Sequence, residues 1–337
     1  MLKFAAGLLG LAACVGATGA QAGTLDTVKS RGQLICGANT ALAGFGIPDS
    51  SGGWTGLDVD YCRAIAAAVL GDPTKVKFIP LNAKDRFPAL QSGEVDVLIR
   101  NTTWTTSRDS NQGFLFAATD FYDGQGFMVR KKQNVSSAKE LDGASICVQQ
   151  GTTTELNLAD YFRSNNIKYD SVAFQDEDVA LKAFESGRCD AFTTDSSGLY
   201  AERIRLTNPD DYMVLPDIIS KEPLASAVRQ GDDQWFNVVR WSFYAMLNAE
   251  EAGVTSKNAD DMLKSQDPNI RRMLGVEGDQ GKGLGLDNKW AYNIVKMVGN
   301  YGEIFDKNVG DGSALKIKRG QNALWNKGGL QYGPPIR

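Results

Sequence analysis

The sequence has no histidine among its 337 residues. That absence removes Ser-His and Cys-His nucleophilic pairs, imidazole general bases and the commonest zinc ligand, so ordinary hydrolase and metalloenzyme chemistry starts weak. No metal and no cofactor are expected. Positive charge is not in excess either: 36 Lys and Arg stand against 40 Asp and Glu, for a net charge of −4. Without a basic footprint, nucleic acid is not an expected partner. Long hydrophobic runs are missing as well, since no stretch reaches the roughly 18 uninterrupted apolar residues that a spanning helix needs. What the chain does have is length and 42% hydrophobic content, enough for substantial cores and for two domains.

The N-terminus carries an export signature. Lys3 supplies a positive region, "FAAGLLGLAA" is an apolar run, and Ala20-Gln21-Ala22 places small residues before Gly23. Residues 1–22 are therefore read as a signal peptide, with the mature chain in the periplasm. "LAAC" at 11–14 also fits a lipoprotein box that would leave Cys14 lipidated at the new N-terminus; the signal would then be unusually short.

Export gives the scarce cysteines a meaning. Cys36, Cys62, Cys147 and Cys189 remain after cleavage, an even number in an oxidising compartment. Three pairings are possible. Cys36 ends the strand "QLIC" and Cys62 lies on the inward stripe of the following helix with Ile65, Ala66 and Val69, so a bridge between them is within reach. Cys147 lies in the strand "SICVQ" and Cys189 in the strand of the second series that begins "CDAFTT". The expectation is 36 with 62 and 147 with 189; the alternative is four buried thiols.

One phrase occurs twice: "ALQSGEVDV" at 89–97 and "AFESGRCDA" at 183–191. Each reads as a helix end, a Ser-Gly stop and a strand entered through an aspartate, Asp96 or Asp190. The surroundings match in order. The first series runs "QLICGA", "LDVDYCRAIAAAVLG", "KVKFIP", "DRFPALQSG" and "VDVLIR"; the second runs "SICVQQ", "TTTELNLADYFRSN", "YDSVAF", "DEDVALKAFESG" and "CDAFTT". Strands alternating with helices indicate α/β architecture with mostly parallel sheets. Two such lobes are expected, one from residues 23–128 and 224–337 and the other from 129–223, with crossings near "YDGQGFMVRKK" and "SKEPLASAVRQGD". The helix "RWSFYAMLNAEEAG" reads as packing and "LKIKRGQ" as a solvated surface.

In open parallel sheets, ligands bind beyond the carboxyl ends of the strands. The loop after the first repeated strand is "NTTWTTSRD", rich in hydroxyls and carrying Arg108; the equivalent strand of the second lobe ends at Asp195. "QQGTTTE" opens a helix whose free amides favour an anion. A cation site opposite anion donors suits a zwitterion.

Taken together, "GTLDTVKSRGQLICGAN", "GLDVDYCRAIAAAV", "RFPALQSGEVDVLIRNTTWTTSRD", "VQQGTTTE", "DAFTTDSS" and "RGQNALWNKGGLQYGPPIR" resemble the family 3 extracellular solute-binding proteins, in particular those of general L-amino-acid type that serve ABC importers. The resemblance implies the two-lobed type II periplasmic-binding-protein fold and a monomer. It also implies L-amino acids as ligands, and as partners inner-membrane ABC permease subunits with a cytoplasmic ATPase. In such proteins a Ser/Asn-x-Thr/Ser loop followed five residues later by Arg holds the α-carboxylate, which points here to Asn101, Thr102, Thr103 and Arg108. Thr152 and Thr153 would complete that site, and Asp195 would take the α-ammonium. Arg suits a carboxylate because its fork donates two parallel hydrogen bonds.

Selectivity is expected to be broad. Members specific for basic ligands carry an acidic residue and an aromatic ring where this chain has Asn39 and Leu42, which offer neither a negative charge nor a cation–π face. Arg86 is the exception, a surface residue or a pocket group that tilts preference toward glutamate and aspartate. Trp54 and Trp104 line the cleft or serve as core and rim. Two rival functions stand beside the receptor: an exported arogenate- or prephenate-type dehydratase, using a carboxylate such as Glu155, and a sensory or adhesive protein.

Overall fold

The computed structural model describes residues 23–40 and 42–337; the expected signal peptide and Cys14 lie outside them. The first series folds into strands β1 (Leu34–Ala38), β2 (Ile47–Pro48), β3 (Trp54–Thr55), β4 (Val76–Pro80), β5 (Val97–Leu98) and β6 (Phe114–Asp123). Its helices are α1 (Thr24–Arg31), α2 (Leu57–Leu70), α3 (Arg86–Ser92) and α4 (Thr106–Asn111). The second comprises β7 (Gln125–Arg130), β8 (Ala144–Gln149), β9 (Tyr169–Phe174), β10 (Ala191–Asp195) and β11 (Tyr212–Val214), with α5 (Thr153–Ser164), α6 (Glu177–Glu185) and α7 (Ser196–Arg203). The chain then returns through β12 (Glu222–Arg229) into α8 (Asp233–Glu251), α9 (Ala259–Met262), α10 (Pro268–Met273), α11 (Gln280–Leu284), α12 (Trp290–Met297) and α13 (Tyr301–Asn308).

Two five-stranded sheets result, ordered β4-β1-β5-β12-β6 and β11-β7-β10-β8-β9. In each, three strands run parallel and the third of them pairs with an antiparallel strand beside a crossing: β5 with β12, β10 with β7. The repeated phrase occupies that third position in both lobes. Its glycines, Gly93 and Gly187, end α3 and the helical turn after α6 at φ 79° and 89°, a left-handed conformation that favours glycine. Its aspartates do equivalent work. Asp96 accepts from the Ile35 amide at 2.7 Å and Asp190 from the Ser145 amide at 2.9 Å, each fastening the start of the neighbouring parallel strand. The repetition is thus a folding device that brings the loops after the two strands to matching places.

The expected disulfides are present, Cys36–Cys62 tying β1 to α2 and Cys147–Cys189 tying β8 to the entrance of β10. The returning helices pack onto the first sheet, where Trp235, Trp290, Tyr301 and Phe243 share one core with Tyr61 and Ile65 of α2. The second lobe has smaller cores on the two faces of its sheet, around Phe127, Phe162 and Val148 and around Phe184, Phe192 and Met128. No helix among the described residues is long and apolar enough to cross a membrane.

The crossings fall earlier than the sequence reading put them. Residues 125–128, assigned there to the first lobe, strand in the second sheet, and Glu222 and Pro223 already pair with Asp123 and Tyr122 of the first. An extended segment running from one sheet into the next has no turn to betray the boundary. Gly124 is where it passes, and a side chain there would meet Ile218 Cγ2 at 2.4 Å and the Ser220 carbonyl at 2.8 Å. Glycine lets the two crossings lie against each other.

Candidate functional site

The carboxyl ends of β5 and β10 face each other across the lobes, as parallel sheets dictate. β5 leads into Arg100, Asn101, Thr102 and Thr103, and Asn101 adopts φ 31°, a left-handed turn that asparagine tolerates. The Asn101 amide donates to the buried Asp58 carboxylate of α2 at 3.0 Å, and its side chain accepts from Asn39 Nδ2 at 2.8 Å. β10 ends at the buried Asp195. Opposite the first loop, Thr152 caps α5, its hydroxyl accepting from the Glu155 amide at 3.1 Å, which turns Thr153 toward the first lobe. The hydroxyls of Thr103 and Thr153 meet at 3.2 Å, and Lys84 Nζ donates to Gln150 Oε1 at 2.7 Å, so the lobes touch at two points.

Enclosed between them is a cavity of about 20 Å³ with Arg86, Asn101, Thr103, Thr152, Thr153 and Asp195 in its walls. That is room for about one water, so the lobes must part to admit anything larger. Six residues named from sequence are thus brought together. Arg86 belongs to the cavity and not to the surface: it is 2% exposed, its Nη1 lies 3.4 Å from Thr102 Oγ1, and its Nε has no partner. Burial, reinforced by Arg100 and Arg108 nearby, holds its pKa well below the ordinary guanidinium value.

Arg108 and Thr102 stand behind the wall. The Arg108 guanidinium donates to the Thr103 carbonyl at 2.7 Å, and burial brings its pKa down to about 10 against the pull of Glu222 and Asp195. Thr102 donates to the Arg100 carbonyl at 2.9 Å. Asn39 is not in the cavity wall and donates to Asn101, which is. Leu42 does not reach it: bridged to Gly46, it turns into the core cluster that holds Phe45 and Leu57, because an apolar side chain on a tight loop gains most by burial. Trp54 stacks on Phe78 and Trp104 on Phe116, and neither lines the cavity. Glu155 accepts from the Gly151 amide at the start of its own helix, away from the cavity walls.

Sequence reasoning missed part of the wall: Arg100, Gln149, Thr154, Glu177 and Thr194. A cation closing the apolar strand "VDVLIR" was a usable signal for Arg100. Glu222 was missed too. It is 1% exposed and accepts from Thr103 at 2.6 Å, Thr153 at 2.8 Å, Asn157 at 2.6 Å and Ser220 at 2.6 Å. Acidic groups dominate the far side. Burial raises Asp195 well above the carboxylate range, and Asp123, Glu222 and Glu177 push it further while Arg86 opposes them. Arginines on one wall and an anion-surrounded Asp195 on the other make the site complementary to a small molecule bearing both charges.

The model of the bacterial extracellular solute-binding proteins, family 3, matches residues 34–265. The chain is 61% identical over 325 residues to the general L-amino acid-binding periplasmic protein AapJ of Rhizobium johnstonii, covering 96% of this chain and 95% of that one. It is 55% identical over 332 residues to the glutamate/glutamine/aspartate/asparagine-binding protein BztA of Rhodobacter capsulatus, covering 98% of each. Among solved structures, a periplasmic binding protein from Brucella ovis with glutathione bound superposes with a TM-score of 0.93 at 60% identity, covering 94% of this chain and all of that one. An ancestral amino acid-binding protein described as a precursor of cyclohexadienyl dehydratase lies further off, at 29% identity and a TM-score of 0.59 over 71% of this chain. The family model spans more than half of the chain and these relatives nearly all of it: the chain belongs to the bacterial extracellular solute-binding proteins, family 3.

Proposed function

We propose that this protein is the periplasmic receptor of an ABC-type amino-acid importer, binding L-amino acids in the cleft between its lobes and presenting them to an inner-membrane permease driven by a cytoplasmic ATPase. One observation carries the reading: the cavity joins an acid, Asp195, with hydroxyls from both lobes, Thr103 and Thr153, backed by Arg108. Those groups address the ammonium and carboxylate that all amino acids share, which favours breadth. Arg86, buried and incompletely partnered, favours ligands whose side chain carries a carboxylate or amide. The names of the relatives fit this range, from general amino acids to glutamate and aspartate with their amides. A dehydratase is disfavoured because Glu155, the carboxylate suggested for it, caps its own helix.

Titration calorimetry with a panel of common L-amino acids, the D-enantiomer of the tightest ligand and glutathione tests the proposal. Glutathione belongs in the panel because the Brucella ovis relative holds it. Binding across polar, acidic and aliphatic L-amino acids, tightest for glutamate or aspartate, is expected. Binding confined to one chemical class would refute breadth, and turnover of arogenate or prephenate would restore the enzyme.

A further inference from the structure

Glu222 stands at the start of β12, on the second crossing between the lobes, and its two oxygens are divided between different tasks. Oε1 accepts from Ser220 on the same crossing and from Asn157 of α5; Oε2 accepts from Thr103 of the first lobe and Thr153 of the second. A carboxylate serving one lobe would take donors from that lobe. This one collects hydroxyls from both, and they are the pair assigned above to the ligand's carboxylate. Arg108, whose guanidinium feels the Glu222 charge, supplies the cation that either carboxylate would face.

We propose that Glu222 is a built-in counterpart of the ligand's carboxylate: without ligand it draws the lobes together by holding Thr103 and Thr153, and an arriving amino acid must take those hydroxyls from it. The proposal rests on the reading of Thr103 and Thr153 as carboxylate donors. Three features support it. The hydroxyls are engaged while the cavity has space for only about one water. Glu222 and a ligand carboxylate cannot cheaply stand side by side at the same two hydroxyls, because burial magnifies their repulsion. And Oε2 can release the threonines while Ser220 still holds Oε1, so Glu222 has somewhere to remain when displaced. The closed, self-occupied form is then a non-competent state, and apparent affinity is reduced by the fraction of molecules in it.

The test uses the full mature chain and its Glu222→Gln variant, which keeps the shape and removes the charge, with Glu222→Ala as a second variant and thermal melts as folding controls. Small-angle scattering without ligand should show a larger radius of gyration in the variants than in the wild type. Calorimetry with glutamate and alanine should show Glu222→Gln binding roughly fivefold tighter or more, the size of an ordinary coupling between two states. A wild type that binds neither amino acid would overturn the reading of the cleft and the competition with it. A wild type that binds, beside variants no more open or no tighter, would overturn the role of Glu222 alone.

Discussion

Arg86 is a side chain costly to the fold that the proposed function makes useful to the ligand. A guanidinium with a buried, unbonded Nε has lost water without full replacement. Burial lowers its pKa first, and the like charge of Arg100 and Arg108 lowers it further. Arg86→Met, with similar reach and no polar atoms to satisfy, should therefore raise the melting temperature. The same change should weaken glutamate and aspartate binding by on the order of 2–5 kcal/mol, the loss typical of removing one partner of a buried charge pair, while alanine and leucine lose much less. Paired melting and calorimetric measurements decide it; equal losses for acidic and aliphatic ligands would return Arg86 to a structural role. Asp195 is the converse case, since on the proposed reading its carboxylate meets a group that every ligand carries.

The strands and helices around these residues were legible because their signals are local. The helix ending at Gly93, the strand entered by Asp96 and their twins at Gly187 and Asp190 follow from turn chemistry and apolar runs, and the disulfides follow from the strand and helix positions that those signals fix. The loop ends were legible too, as places: Asn101 and Thr103, Thr152 and Thr153, and Asp195 all arrive at one cavity. Side-chain direction was not. Leu42 turns inward because its loop closes on Gly46, and Glu222 turns into the cleft because an extended crossing brings it there; neither is encoded in a neighbouring pattern. The disulfides offer a check on how the smaller lobe is held. Closing 42 residues, the Cys147–Cys189 bridge should contribute about 4 kcal/mol in the chain-entropy model. It joins β8 to the start of β10 in a lobe whose cores lack the returning helices. Reduction, or a Cys147→Ser/Cys189→Ser double variant, should lower the melting transition clearly, and an unchanged transition would show that packing alone holds the second lobe.

Across the whole molecule, proton uptake should move stability and binding in opposite directions. Burial raises Asp58 to about 7, Asp123 to about 6 and Glu202 to about 8, each folded-state value lying above that of an exposed carboxylate. Between those limits the folded chain holds protons that the unfolded chain has released, so unfolding free energy falls as pH rises from about 4 toward 8. Carboxylates shifted the other way, such as Asp190 beneath the Ser145 hydrogen bonds, lose their contribution only on further acidification. Thermal stability should accordingly peak on the mildly acidic side. Binding answers to a different group. Asp195 is raised by burial and by Asp123, Glu222 and Glu177, and an ammonium placed against it favours its ionised form. A ligand therefore expels a proton wherever Asp195 is protonated in the empty site, and affinity should rise with pH until that proton is gone. Calorimetry in two buffers of different ionisation enthalpy measures the release directly, and melts over the same pH series measure stability. Asp195→Asn should abolish the Asp195-linked proton release and weaken every amino-acid ligand together. If affinity stays level across that series while stability changes, the ammonium is held elsewhere and Asp195 serves only the fold.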